Sequence, residues 1–174
     1  MKKLPCAYLV ICLLVSTATL RADTSTPAKE PSAAERSAVL AVVQKFFDAM
    51  AAGDAEALRS TSVPTFQYHA VRNDAKGTAV SRRTLDEFVA RFGSSPERVL
   101  ERMWDATVLV HDRIAMVWTP YDFHRGGKFT HSGIDVFTLG RTDAGWKILD
   151  LAFTVEPEVP SRHPAGPPAA ETKK

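Results

Sequence analysis

After Pro96 the spacing of apolar residues changes from about 3.6 to 2, and it stays at 2 to residue 156. A period of 2 is the mark of β-strands, whose side chains alternate between two faces. The run divides at turn chemistry into four expected strands, 98–110, 114–125, 128–141 and 146–156. The dividing segments are His111-Asp112-Arg113, Gly126-Gly127 and Thr142-Asp143-Ala144-Gly145. Gly-Gly is suited to a two-residue hairpin, because both positions require positive φ. A meander of long antiparallel strands must cover at least one face, and only the residues before Pro96 can do so.

Those residues read mainly as helix. Ser32 and Glu35 form a capping box, and Val39, Val42, Val43, Phe46, Phe47 and Met50 make one apolar stripe up to Gly53. Asp54 can cap a second short helix to about Thr61, and Pro64 prevents its extension. Residues 66–72 alternate as a strand, "NDAKG" is a turn, and 78–81 is a short return strand. Thr84 with Glu87 is another capping box, opening a helix with Leu85, Phe88, Val89 and Phe92 on one side and Gly93 at its end. Helices first and a meander afterwards is an α+β order.

The ends read differently. Lys2 and Lys3 precede the apolar run CAYLVICLLV (6–15), with Ala18 and Ala22 as small residues for cleavage. This predicts a signal peptide over 1–22, and the run is too short for a membrane span. Both cysteines, Cys6 and Cys12, fall inside it, so the mature chain is expected to be held without disulfides. Removing Lys2, Lys3 and Arg21 takes the 22 basic residues to 19 against 20 acidic ones, which argues against nucleic acid. Residues 23–32 are expected to be a linker, and 157–174, with five of the eleven prolines, a disordered tail. One domain, 33–156, remains, and the expected location is secreted or periplasmic, off the membrane once the signal is cleaved.

Counting outward from Gly126-Gly127 pairs Asp122 with His131, Trp118 with Asp135 and Met116 with Phe137. Counting from the next turn pairs Phe137 with Asp150 and Gly133 with Thr154. One face then collects Asp105, Thr107, Trp118, Asp122, His131, Asp135, Phe137, Ile148, Asp150 and Thr154. The other collects Trp104, Val108, Val117, Tyr121, Ile134, Val136, Leu149, Leu151, Phe153 and Val155. Neither is a solvated face, so both are expected to be covered. Tyr68 and His69 lie on opposite faces of the first strand, and either can point inward.

"FFDAMAAGDAEAL" (46–58), a third helix, the meander and "RTDAGWKILDL" (141–151) together resemble the nuclear transport factor 2-like superfamily, in its polyketide-cyclase-like and lumazine-binding-like branches. The resemblance covers nearly all of 33–156. It implies three helices in the concave side of a strongly curved antiparallel sheet, a cone-shaped cystatin-like roll with a cavity at the wider end. It also implies that the mixed face points inward and the apolar face forms a homodimer seam.

On that reading the ligand-binding candidates are Trp118, Asp135, Asp150, His131, Phe137 and Thr154, and the acid–base candidates are Asp135, Asp150, His131 and Asp122. An Asp122–His131 pair would raise the histidine's pKa, and crowded Asp135 and Asp150 would push at least one carboxyl up. No cofactor is expected, and no cluster of histidine, cysteine or acid has metal-ligand spacing. Three functions fit. The first is a binding domain for a small, planar, polar-rimmed molecule. The second is a cofactor-free isomerase, cyclase or dehydratase. The third is a dimeric assembly domain.

Overall fold

The computed structural model describes residues 30–74, 77–93 and 97–168. The expected signal peptide, most of the linker, and Ala75 and Lys76 of the first turn lie outside those residues.

Helix α1 spans Ala33–Ala52. The Ser32 hydroxyl accepts from the Glu35 backbone N–H at 3.2 Å, and the Glu35 carboxylate accepts from the Ser32 N–H at 3.2 Å. Such a box satisfies two otherwise orphaned donors and is worth about 1 kcal/mol. Gly53, at φ 66°, stops the helix in the left-handed region. Asp54 caps α2 (Ala55–Thr61) by accepting from Ala57 N–H at 2.9 Å. Strands β1 (Ser62–Asp74) and β2 (Gly77–Thr84) form a hairpin, and β2 runs straight into α3 (Leu85–Phe92) through the Thr84–Glu87 box. The meander follows as β3 (Val99–Met103), β4 (Thr107–His111), β5 (Ile114–Arg125), β6 (Lys128–Thr142) and β7 (Gly145–Val155).

The expected strand 98–110 is two strands. Asp105 takes φ 46°, which breaks the pleat, and β3 and β4 pair separately with β5. Thr119 secures the break by donating to the Trp104 carbonyl at 2.9 Å. The break resets the alternation, so Val108 and Val110 are buried whereas Thr107 is exposed.

Strand order is β2-β1-β7-β6-β5-β3. The sheet is mixed, a correction to the expected all-antiparallel one: β1 pairs with β7 in parallel, Tyr68 beside Leu151 and Arg72 beside Val155. The intervening β2, α3 and meander form the long crossover that a parallel pair needs. The register shift in that pairing lies between Ser62 and Gln67, around Pro64, which has no N–H to give a ladder.

Three helices fill one side of the curved sheet. Phe46 stacks on Phe88 at 5.0 Å and meets Phe66 at 6.0 Å, and Phe46 and Phe47 meet Phe137 of β6 at 6.0 and 5.8 Å. Aromatic contacts of this kind each add about 0.5–1.5 kcal/mol beyond the area they bury.

The outer side carries the C-terminal segment. Ser132 donates to the Val159 carbonyl at 2.8 Å, and Arg102 donates to the Gly166 carbonyl at 2.9 Å. Ser161 donates to Asp122, and the His163 ring meets Trp104 edge-on at 5.4 Å. Residues 157–168, expected to be a disordered tail, therefore lie along the sheet.

Candidate functional site

Two single-residue irregularities decide which side chains face the helices. Near the Gly126-Gly127 turn the register is the expected one, with Arg125 opposite Lys128. Beyond it, Thr130 is left unpaired, so Phe123 rather than Asp122 lies opposite His131. The Thr130 hydroxyl donates to the Phe123 carbonyl at 3.0 Å and lies 2.8 Å from His131 Nδ1, which fixes the bulge. The second shift leaves Leu139 opposite Ile148 but puts Leu151 opposite Phe137 and Phe153 opposite Asp135. A slip of one residue sends every later side chain to the other face.

The inward face therefore carries Val117, Thr119, Tyr121 and Phe123 from β5, then His131, Asp135, Phe137 and Leu139 from β6. β7 supplies Leu151 and Phe153. At the end away from α1, these strands, β1–β3 and α3 line a half-open cavity of about 180 Å³. Tyr68, Phe88, Phe92, Phe123 and Phe153 form its aromatic wall. His131 stacks on Phe123 at 5.1 Å and meets Tyr121 edge-on at 5.7 Å. Tyr121 lies across Gly133, where a methyl group would come within 2.9 Å of its ring, and donates to the Thr154 carbonyl at 2.7 Å. A hollow of about 520 Å³ between the outer face and residues 156–162 is larger, but Trp104 and Tyr121 are its only aromatic lining among the described residues.

The cavity reaches Glu101, on the same side of β3 as Val99 and directly opposite Phe123. Glu101 faces Asp135, which is 1 % exposed, closely enough for the two carboxyls to share a proton. With both groups ionised, neither Asp135 oxygen has a donor among the described residues. A proton shared with Glu101 removes that deficit. Burial pushes the Asp135 carboxyl up to about 8. Burial, and next the charge of Asp135, push Glu101 well above the usual carboxylate range. The pair thus keeps a proton at neutral pH. Burial moves His131 in the opposite direction, down to about 4, helped by Arg72, Arg125 and Arg91, so its imidazole is neutral. The Tyr121 hydroxyl is raised by burial and by Asp135 and Glu101, and it stays protonated.

The sequence-derived candidates separate. His131 lines the cavity, Asp135 lies beneath it with Glu101, and Phe137 is wholly buried against α1. Trp118, Asp122, Asp150 and Thr154 face outward, because the two bulges invert their faces. Trp118 pairs with Val136 and is 48 % exposed. Asp150 pairs with Thr138, is exposed, and is no neighbour of Asp135. The Thr154 hydroxyl accepts from Ile134 N–H and donates to Glu156. Asp122 accepts from Arg102 at 2.9 and 2.5 Å and from Ser161 at 2.5 Å. Burial works against its charge, but the hydrogen bonds from Arg102 and Ser161, with the His124 ring 3.3 Å away, hold it below the usual range. The expected Asp122–His131 pair does not form, and His131 is lowered rather than raised.

The apolar set also divides. Val108, Val117, Tyr121, Leu151, Phe153 and Val155 face inward, while Ile134 and Val136 keep to the outer side. Tyr68 points inward, and His69 takes the opposite side of β1. Sequence reasoning missed Glu101, Arg72, Arg83 and Arg91. The only available signal for Glu101 was an acid at the position between Val99 and Met103 on one strand face. Among the described residues no group of three histidine, cysteine or acidic side chains could hold a metal.

A curved sheet wrapped on three helices, with a chamber at one end, defines a nuclear transport factor 2-like domain of cystatin-like fold. Solved structures share it. One is a protein of unknown function from Nostoc punctiforme, 13 % identical, covering 76 % of this chain and 98 % of its own at a TM-score of 0.58. Another is a nuclear transport factor 2-like protein from Cytophaga hutchinsonii, 13 % identical, covering 70 % and 98 % at 0.59. A third, from Novosphingobium aromaticivorans, is 20 % identical and covers 70 % and 82 % at 0.56. Residues 34–154 match the family described as "Putative lumazine-binding", and the chain belongs to that family. No curated protein matches.

Proposed function

We propose that this is an exported binding domain whose chamber takes one small molecule with an apolar body. The observation that carries this reading is the half-open aromatic cavity ending on the Glu101–Asp135 pair. A cavity of about 150 Å³ admits benzene, so one of about 180 Å³ suits a single substituted ring or a short branched chain rather than a fused polycycle. With the shared proton held between the two carboxyls, Glu101, which lines the cavity, can accept a hydrogen bond from a ligand N–H or O–H through its second oxygen. The family description is consistent with a small-molecule ligand. The test is native mass spectrometry and thermal shift on the chain without residues 1–22, using single-ring compounds, beside Ala70→Leu, which fills the chamber. Binding by the parent chain and loss in the variant are expected. Equal behaviour of the two sinks the reading.

A second reading is proton transfer. It is favoured by a proton-bearing carboxyl pair in the same chamber as a neutral histidine, His131. Such a site needs no cofactor and suits an isomerase, cyclase or dehydratase. Glu101→Gln would then abolish a measured turnover while leaving ligand affinity within a few-fold.

Export rests on the N-terminal sequence, and a periplasmic or secreted location is its consequence. No helix among the described residues is long and apolar enough to cross a membrane. A second copy of the chain is the proposed partner for the outer sheet face. The C-terminal segment already covers the end near Asp122, whereas Trp118 and Leu109 are 48 % and 38 % exposed. Sedimentation of Trp118→Ser against the parent chain tests this.

A further inference from the structure

The mouth of the chamber is more specific than its wall. Arg72, Arg83 and Arg91 line it, each from a different element: β1, β2 and α3. None of the three forms an ion pair with a carboxylate among the described residues. Glu87, at the start of α3, caps Thr84 and faces Arg83 and Arg82, so its charge is divided among them. One of the guanidinium groups is held in place: Arg91 sits over the Phe92 ring at 5.4 Å from its centre. The floor offsets these charges only in part, because the Glu101–Asp135 pair with its shared proton carries one negative charge against three positive ones. Burial first, and then the charges of Arg72, Arg125 and Arg91, keep the His131 ring in the same chamber neutral.

We infer that the ligand is a small organic anion, with a ring or aliphatic body among Phe88, Phe123 and Phe153 and its carboxylate or phosphate at Arg72, Arg83 and Arg91. Planar guanidinium forks bind either head group in bidentate fashion. Three cations from three elements, converging on an apolar chamber whose floor carries only one negative charge, leave an excess of positive charge that favours an anion over a cation or a neutral solute. The inference rests on the binding reading above and adds the sign and place of the ligand's charge.

The experiment compares three probes that share a phenyl body: 3-phenylpropanoate, 2-phenylethyl phosphate and neutral 3-phenylpropanol. Each is titrated by calorimetry or nuclear magnetic resonance into the chain without residues 1–22, at about 25 and 250 mM salt. At least one anion should bind ten-fold or more tighter than the alcohol and lose several-fold at the higher salt. The tighter of the two anions identifies the head group. Arg72→Gln and Arg91→Gln should each cost the anion about five- to ten-fold and leave the alcohol unchanged, and Arg91→Glu should cost more. All three arginines are exposed, so these variants should keep the parent's unfolding midpoint. Equal affinity for anion and alcohol, unaffected by the arginine changes, overturns the inference while the binding reading stands. Failure of all three probes, with Ala70→Leu indistinguishable from the parent, overturns both.

Discussion

Replacing the carboxyl pair with amides, as Glu101→Gln/Asp135→Asn, should change how stability depends on pH in a calculable way. Asp135 holds its proton to about 8 in the folded chain, against an ordinary 3.8. From about pH 4 to 8 the folded state therefore carries a proton that the unfolded state has lost, and stability falls as pH rises. His131 acts oppositely. Its folded value is about 4 against an ordinary 6.5, so the unfolded state holds the extra proton and stability rises from pH 4 to 6.5. The two slopes oppose each other below 6.5, and above it only the carboxyl pair contributes. One proton corresponds to about 1.4 kcal/mol per pH unit, so the parent chain should lose about 2 kcal/mol between pH 6.5 and 8. The amide side chains can hydrogen-bond each other and have no proton to lose, so the double variant should be flat over that window. Urea unfolding at pH 6.5, 7, 7.5 and 8 measures both, and Asp150→Asn, exposed on the outer face, serves as the control that keeps the parent's slope. Parallel curves for the parent and the double variant would refute the shared proton.

Gly133→Ala places a methyl 2.3 Å from the Thr154 carbonyl and 2.9 Å from the Tyr121 ring. The strand or the ring must move, and a loss of about 3 kcal/mol is expected by urea midpoint, with the Tyr121 hydrogen bond broken. Arg102→Ala strips the main partner from Asp122, which is 0 % exposed. It should cost about 3–5 kcal/mol, while pairing it with Asp122→Ala should recover part of that loss. Thr130→Val removes the hydroxyl that holds the bulge and steadies His131. A cost of about 1 kcal/mol and a shifted His131 ring resonance are expected.

Most of the local structure was legible because its causes are local. Both capping boxes are pairs of residues three apart, and both form. The Gly126-Gly127 turn sets Arg125 opposite Lys128 as counted. Alternation after Pro96 gave the meander, and Phe46 and Phe47 fell on the stripe that packs inward. Pairing between β1 and β7 was not legible, since nothing near residue 68 records that residue 151 will lie beside it.

The site was half legible for a different reason. His131 and Asp135 were read on one face of one strand, and that relation depends on nothing outside the strand. Asp122, Trp118, Asp150 and Thr154 were attached to them by counting across turns, and a count across a turn survives only while the ladder is regular. A bulge adds one residue without a composition of its own. Thr130 is an ordinary strand residue, and only its hydrogen bond to Phe123 identifies its role. The two bulges have a functional consequence. Without them, β5 would present Asp122 beside His131, and β7 would present Asp150 beside Phe137, giving an acidic chamber. With them, Phe123 and Leu151 take those places, so among the described residues the acids facing inward around His131 are the paired Glu101 and Asp135. The change of one residue in register turns a chamber that would repel anions into one whose wall is apolar, whose floor is protonated and whose mouth is cationic. Deleting Thr130 should therefore do more than destabilise the hairpin: if β5 and β6 re-pair in register, Asp122 returns to the interior, and affinity for the phenyl anions should vanish even in whatever fraction of the chain still folds.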